Sequence, residues 1–76
     1  MDMKEFIVKF ADIFCDVDPD TLTPETNFRD IDDWSSLSAL VLIAMASDDY
    51  DVDLKGDDIR GANTIQDIYD IIKSRT

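Results

Sequence analysis

Near the start of the chain, apolar side chains recur at Phe6, Phe10, Ile13, Phe14 and Val17, the spacing of one helix face. That pattern predicts a first helix over residues 2–15, opened by Asp2 with Glu5 as a capping pair. Ile7 and Ala11 widen the stripe, so this helix is expected to pack on more than one neighbour.

The periodicity then lapses. Pro19, Pro24 and a scatter of Asp, Thr and Asn mark residues 16–34 as a long connection. Leu22, Phe28 and Ile31 are spaced along it like pins that hold a loop to a body. A connection this long in a small domain is expected to be functional or packed down.

A second helix is predicted from Ser36 to Asp49 or Tyr50. Its seven successive apolar residues, Ala39 through Met45, run on into Ala46. At about 100° per residue they do not form one stripe. One arc holds Ala39, Leu42, Ile43, Ala46 and Tyr50; the opposite arc holds Leu37, Leu40, Val41, Ala44 and Met45. Such a helix is either covered on all sides or turns one arc to a partner.

Residues 51–63 read as a connector. Val52 and Leu54 alternate with Asp51, Asp53 and Lys55 as in a strand, but no second strand is available to pair with. Residues 56–61 read as one helical turn between two glycines, with Asp57 near its start. A last helix is predicted over residues 64–73, with Ile65, Ile68, Ile71 and Ile72 on one face and Asn63 with Gln66 as its start signal. Lys73 and Arg75 suit the negative end of its dipole. The expected fold is all-α, a small four-helix bundle of three principal helices and one short helix, forming a single domain over residues 1–76.

Charge narrows the function classes. Eighteen acidic against seven basic residues give a formal net charge of −11, which disfavours nucleic acid and anionic membrane surfaces and suits partners with basic patches. The same acidity also keeps a small protein soluble. The chain has no His, so a Ser-His-Asp or Cys-His arrangement is excluded within it. Its one Cys, Cys15, excludes an internal disulfide and a thiolate zinc site. Lying in an apolar stretch, Cys15 is expected to be a small buried hydrophobe. No signal peptide is expected, because Asp2, Lys4, Glu5 and Lys9 interrupt the first apolar residues, and no apolar run is long enough to span a membrane. A cytoplasmic monomer is expected.

Two clusters offer chemistry. Asp16, Asp18 and Asp20 match the first three ligand positions of a calcium-binding loop, but Thr21 stands where the sharp-turn glycine belongs and Asn27 where the bidentate glutamate belongs. Turn formation and capping therefore account for them better, and no metal site is expected. The second cluster is Asp32-Asp33-Trp34-Ser35-Ser36-Leu37, which places two hydroxyls at the first turn of the apolar helix. Free backbone N–H groups and the positive dipole end there favour an attached anion. Ser is also a preferred helix cap, so local sequence alone leaves both roles open for both serines.

The whole chain resembles the acyl carrier protein family. That family is recognised by an Asp-Ser-Leu triplet whose serine carries 4′-phosphopantetheine; here Ser36-Leu37 opens the apolar helix. Phe28 falls where the family has a loop aromatic. Asp48-Asp49-Tyr50, Val52-Asp53-Leu54 and Asn63-Thr64-Ile65-Gln66-Asp67 match its later segments. The pattern departs at Ser35, where the family has an acid, and at Ser38, Val41 and Ser47, where acids are frequent. These departures suggest a specialised pathway member of fatty-acid or polyketide type.

The resemblance implies a non-enzymatic carrier with 4′-phosphopantetheine attached at Ser36. It implies an acyl pocket of Phe28, Leu42, Ile43, Ala46, Leu54, Ile59, Ala62 and Ile68. Partner docking would fall to Leu37, Leu40, Val41 and Ala44, ringed by Asp48, Asp49, Asp57 and Asp58. The implied partners are a phosphopantetheinyl transferase and acyl-loading and condensing enzymes with basic docking patches. An aminoacyl or peptidyl carrier, an interaction module of the same fold without the arm, and a calcium-binding protein are the competing expectations.

Overall fold

The computed structural model describes residues 2–76 and is all-helical. Helix α1 spans Met3–Ala11, α2 Ser36–Tyr50, α3 Gly56–Arg60 and α4 Ile65–Ser74. Two single 3-10 turns, Pro19–Thr21 and Phe28–Asp30, punctuate the long connection between α1 and α2. The bundle of three principal helices and one short helix is therefore the observed architecture. Among the described residues, no helix is long and apolar enough to cross a membrane.

Helix α1 stops earlier than its apolar pattern suggests. The Asp2 side chain accepts the Lys4 N–H at 3.1 Å to start it. Beyond Ala11 the backbone tightens, with Ile13 N donating to the Phe10 carbonyl at 3.2 Å and Phe14 N to Ala11 at 3.0 Å. This bend brings Phe14 onto Trp34 (ring centroids 6.3 Å) instead of prolonging a straight helix. It also turns Cys15 outward, so the expectation of a buried thiol is corrected: Cys15 is exposed.

The long connection is packed down. Leu22 and Phe28 are buried and Ile31 is half-buried. The three aspartates act in turn chemistry at least at Asp18, whose carboxylate accepts the Asp20 N–H at 2.9 Å. Further along, Ile65 N donates to the Thr26 carbonyl and Gln66 N to the Pro24 carbonyl, and Asn27 bridges to Thr64. These bonds fix the start of α4, whose cap differs from the expected Asn63–Gln66 pair. Thr64 Oγ1 accepts the Asp67 N–H, and Asp67 in return accepts the N–H groups of Thr64 and Asn63. Starting one residue later places Ile65, Ile68 and Ile72 inward, with Tyr69 also buried.

Phe6, Phe10, Phe28, Leu42, Leu54, Ile65, Ile68 and Ile72 are fully buried and join every helix except α3, which adds Ile59. An aromatic cluster extends this core to the α2 start. Trp34 lies 4.7 Å from Phe28 and stacks in parallel on Phe10 at 6.4 Å. The residue two before Ser36 is thus anchored to both α1 and the loop.

Candidate functional site

The site begins with the two serines, which the structure separates by role. Ser35 is extended (φ −150°, ψ 178°) and is the N-cap of α2. Its Oγ accepts the Ser38 N–H at 3.4 Å, while the Ser35 N–H donates to Ser38 Oγ at 3.2 Å. Ser38 is buried, and its hydroxyl also donates to the Asp33 carbonyl at 3.2 Å. This reciprocal box performs the capping that an acid could perform at either position. Two of the four departures from the acidic pattern, Ser35 and Ser38, thereby share one physical account.

Ser36 is different. It is the first residue of α2 and is exposed, and its Oγ takes no hydrogen bond from any described residue. The hydroxyl is open to solvent at a helix N-terminus, on a backbone fixed from one side by the cap and from the other by Trp34. An attached phosphoester would meet the positive end of the helix dipole.

Helix α2 divides as its two arcs predict. Leu42 and Ala46 are buried; Ala39, Ile43 and Tyr50 are half-buried. On the opposite arc Leu37 is 69% exposed and Leu40 62%, with Val41 and Ala44 also exposed. Met45 departs from that arc and packs partly on the core. Large apolar side chains this open are unlike a monomer's covered face and fit a surface that meets a partner.

The acidic residues around this face are not equivalent. Asp48 and Asp49 lie exposed in the last turn of α2, which has no basic residue. There they oppose the helix dipole, so helix stability does not explain their placement. Lys9 approaches Asp49 at 3.9 Å and Glu5 at 3.6 Å. Asp57 pairs with Arg60 along α3. Asp58 is committed to Arg75, and that guanidinium, with the Lys55 N–H, holds its carboxyl down at about 2. Asp58, expected in the acidic ring from the family resemblance, is engaged here in holding α3.

Of the residues implied for an acyl pocket, Phe28, Leu42, Ala46, Leu54, Ala62 and Ile68 lie in the packed core. Ile43 and Ile59 alone among them reach an open groove of about 560 Å³ between α2 and α3. That groove has Ser36 on its rim and is otherwise lined by Trp34, Ser35, Ala39, Leu40, Gly56 and Arg60. Ala39 and Gly56 are the small residues of its lining, which periodicity does not single out. An exposed serine, free backbone donors and an adjoining apolar groove together fit a phosphate-linked arm.

Comparison with known proteins agrees with this geometry. The family model described as phosphopantetheine attachment site matches residues 8–72. No curated protein matches the chain. Members of this family are carriers that bear 4′-phosphopantetheine and work with phosphopantetheinyl transferases and biosynthetic enzymes. A match over nearly the whole helical bundle, centred on a capped α2 with an open serine, shows that the chain belongs to the phosphopantetheine attachment site family.

Proposed function

We propose that the protein is an acyl carrier, with 4′-phosphopantetheine attached to Ser36 Oγ. The observation that carries this is the contrast between the two hydroxyls: Ser35 Oγ is engaged in the α2 cap, whereas Ser36 Oγ is exposed and unbonded among the described residues. When bound, the group supplies a terminal thiol on which a cargo is held as a thioester. The chain's own contribution is to hold and display. Trp34 and the Ser35–Ser38 box fix the backbone on which Ser36 stands. The α2 N–H groups left without helical partners favour the phosphate charge.

The mainly apolar lining of the groove at Ser36 favours an acyl over an aminoacyl or peptidyl cargo, since an alkyl chain gains by leaving water there while the charged side chain of the lining, Arg60, repels an amino group. Leu37, Leu40, Val41 and Ala44 present the docking face. Asp48, exposed and unpaired among the described residues, and Asp49, only loosely met by Lys9, supply its negative rim. The acid-poor first turn of α2 supports a specialised pathway member, and a cytoplasmic monomer suits a mobile carrier.

Coexpression with a permissive phosphopantetheinyl transferase is expected to add one phosphopantetheine to the intact mass. Ser36→Ala abolishes the adduct, and Ser35→Ala retains it at a stability cost of about 1 kcal/mol for the lost cap. An unmodified wild type across several transferases refutes the carrier reading; loss of the adduct in Ser35→Ala alone moves the site.

A further inference from the structure

The groove beside Ser36 has two unequal walls. Helix α2 has fifteen residues and a buried face. Helix α3 has five, of which Ile59 alone is buried, far short of the roughly 12–15 residues at which a helix holds by itself. Its place in the bundle depends on what grips it from outside.

Two arginines do so, one at each end. Arg29, in the second 3-10 turn, donates from Nη2 to the Ile59 carbonyl at 2.8 Å and the Arg60 carbonyl at 3.1 Å, and from Nη1 to the Ala62 carbonyl. These carbonyls lie at the end of α3 and its exit; that of Ile59 also takes the Ala62 N–H at 3.1 Å, and the guanidinium adds the side-chain contacts that helix ends call for. Arg75, just beyond α4, forms a two-pronged pair with Asp58 in the first turn of α3, Nη1 to Oδ2 at 2.7 Å and Nη2 to Oδ1 at 2.8 Å. Its Nη1 also donates to the Asp53 carbonyl at 3.3 Å. Asp58 meanwhile accepts the Lys55 N–H at 2.9 Å, so the same carboxylate starts α3 and ties it to the C-terminal end.

We propose that Arg29 and Arg75 are positioning residues that set the width of the Ser36 groove, and so the length of acyl chain it shelters, by fixing α3 at both ends. The proposal rests on Ser36 as the attachment point. The occupant is the acyl group carried at the end of the arm on that serine, because Ser36 lines the groove together with Ala39, Leu40, Ile43 and Ile59. Each clamp depends on the planar fork of a guanidinium, which reaches two or three acceptors at once; a lysine ammonium does not reproduce that geometry. With little apolar burial of its own, α3 moves when a clamp is released, whereas α2 does not.

The test has two readouts. In the unmodified protein, amide hydrogen exchange at Ile59, Gly61 and Ala62 is expected to quicken about threefold or more in Arg75→Ala and in Arg29→Lys, both pairs being partly exposed, with α2 and α4 amides unchanged. Asp58→Asn reproduces Arg75→Ala. Asp70→Asn, which removes the charge from an exposed bond with Gln66 within α4, leaves α3 exchange unchanged.

In protein loaded with straight-chain acyl arms of increasing length, the melting temperature of the wild type rises to a plateau. In Arg75→Ala the plateau moves to longer chains. Unaltered α3 exchange in both arginine variants overturns the proposal. So does an unmoved plateau despite quickened exchange, or an equal plateau shift in Asp70→Asn, which would mark a general loss of stability. A wild type that takes up no arm refutes the Ser36 reading and the chain-length part with it, while exchange in the unmodified protein still decides whether the arginines hold α3.

Discussion

Single residues decide where the site is, and they do so through hydrogen bonds that sequence does not display. Ser35 and Ser36 are equivalent as letters; one residue of helical phase makes the first a cap and the second an open hydroxyl. What was legible was the offset from Phe28, Asp48-Asp49-Tyr50 and the α4 start, which pointed to Ser36. What was not legible was that Ser38 would close a reciprocal box and relieve Ser35 of any need to be acidic. Asp51 shows the same dependence on local geometry. It ends α2 with φ 56° and ψ 40°, the one non-glycine residue with positive φ among those described. Aspartate tolerates that conformation, but glycine adopts it without a Cβ penalty and also removes a negative charge from the helix C-terminus. Asp51→Gly is therefore expected to stabilise the protein by about 0.5–1 kcal/mol, some of the gain being offset by greater unfolded-chain entropy. Thermal unfolding checks this, and a lower melting temperature would contradict it.

At the scale of elements, the interiors of helices followed from periodicity and their ends did not. The bounds of α2 and the inward faces of α1 and α4 follow from where apolar residues recur. The end of α1 was hidden because Phe14 continues the stripe although it packs from a bend. The start of α4 differs by one residue because the sequence points to Asn63 with Gln66, whereas the fold closes the box between Thr64 and Asp67. The bridge from Asn27 to Thr64, a contact made across the long connection, chooses between them. The caps of α3 and α4 both use aspartates with depressed pKa values. Bonds from the Asn63 and Thr64 N–H groups lower Asp67, and Arg75 above all holds Asp58 at about 2. The ordinary unfolded value is about 3.9. Each group thus contributes stability that is fully present above about pH 4 and is lost as pH falls through the folded value. The melting temperature is expected to drop between about pH 4 and pH 2. Asp67→Asn should flatten that drop while lowering stability at neutral pH. An identical acid slope in wild type and variant would remove Asp67 from this account.

For the whole molecule, charge and size set the conditions under which the carrier is stable. The formal charge of −11 is spread over a body of 28 × 25 × 20 Å. The Debye length is about 30 Å at 0.01 M ionic strength and about 3 Å at 1 M. At low salt every carboxylate therefore repels nearly every other, and at high salt only adjacent ones do. Screening also weakens the attractive pairs, Lys9 with Glu5 and Asp49, Arg60 with Asp57, and Arg75 with Asp58. Those pairs are few and partly or largely exposed, where solvent and counter-ions already weaken them. With eighteen acidic against seven basic residues, repulsion is the larger effect. Added NaCl is thus expected to raise the melting temperature, at about 4–8 °C for each kcal/mol of repulsion relieved in a domain of this size. The same salt should slow encounter with partners that approach the Asp48 and Asp49 end of α2 through basic patches, so stability and association rate move in opposite directions. Calorimetry across a NaCl series, paired with stopped-flow binding to a transferase, measures both. A melting temperature that falls with salt would mean that the ion pairs, the two-pronged Arg75–Asp58 pair among them, outweigh the net charge.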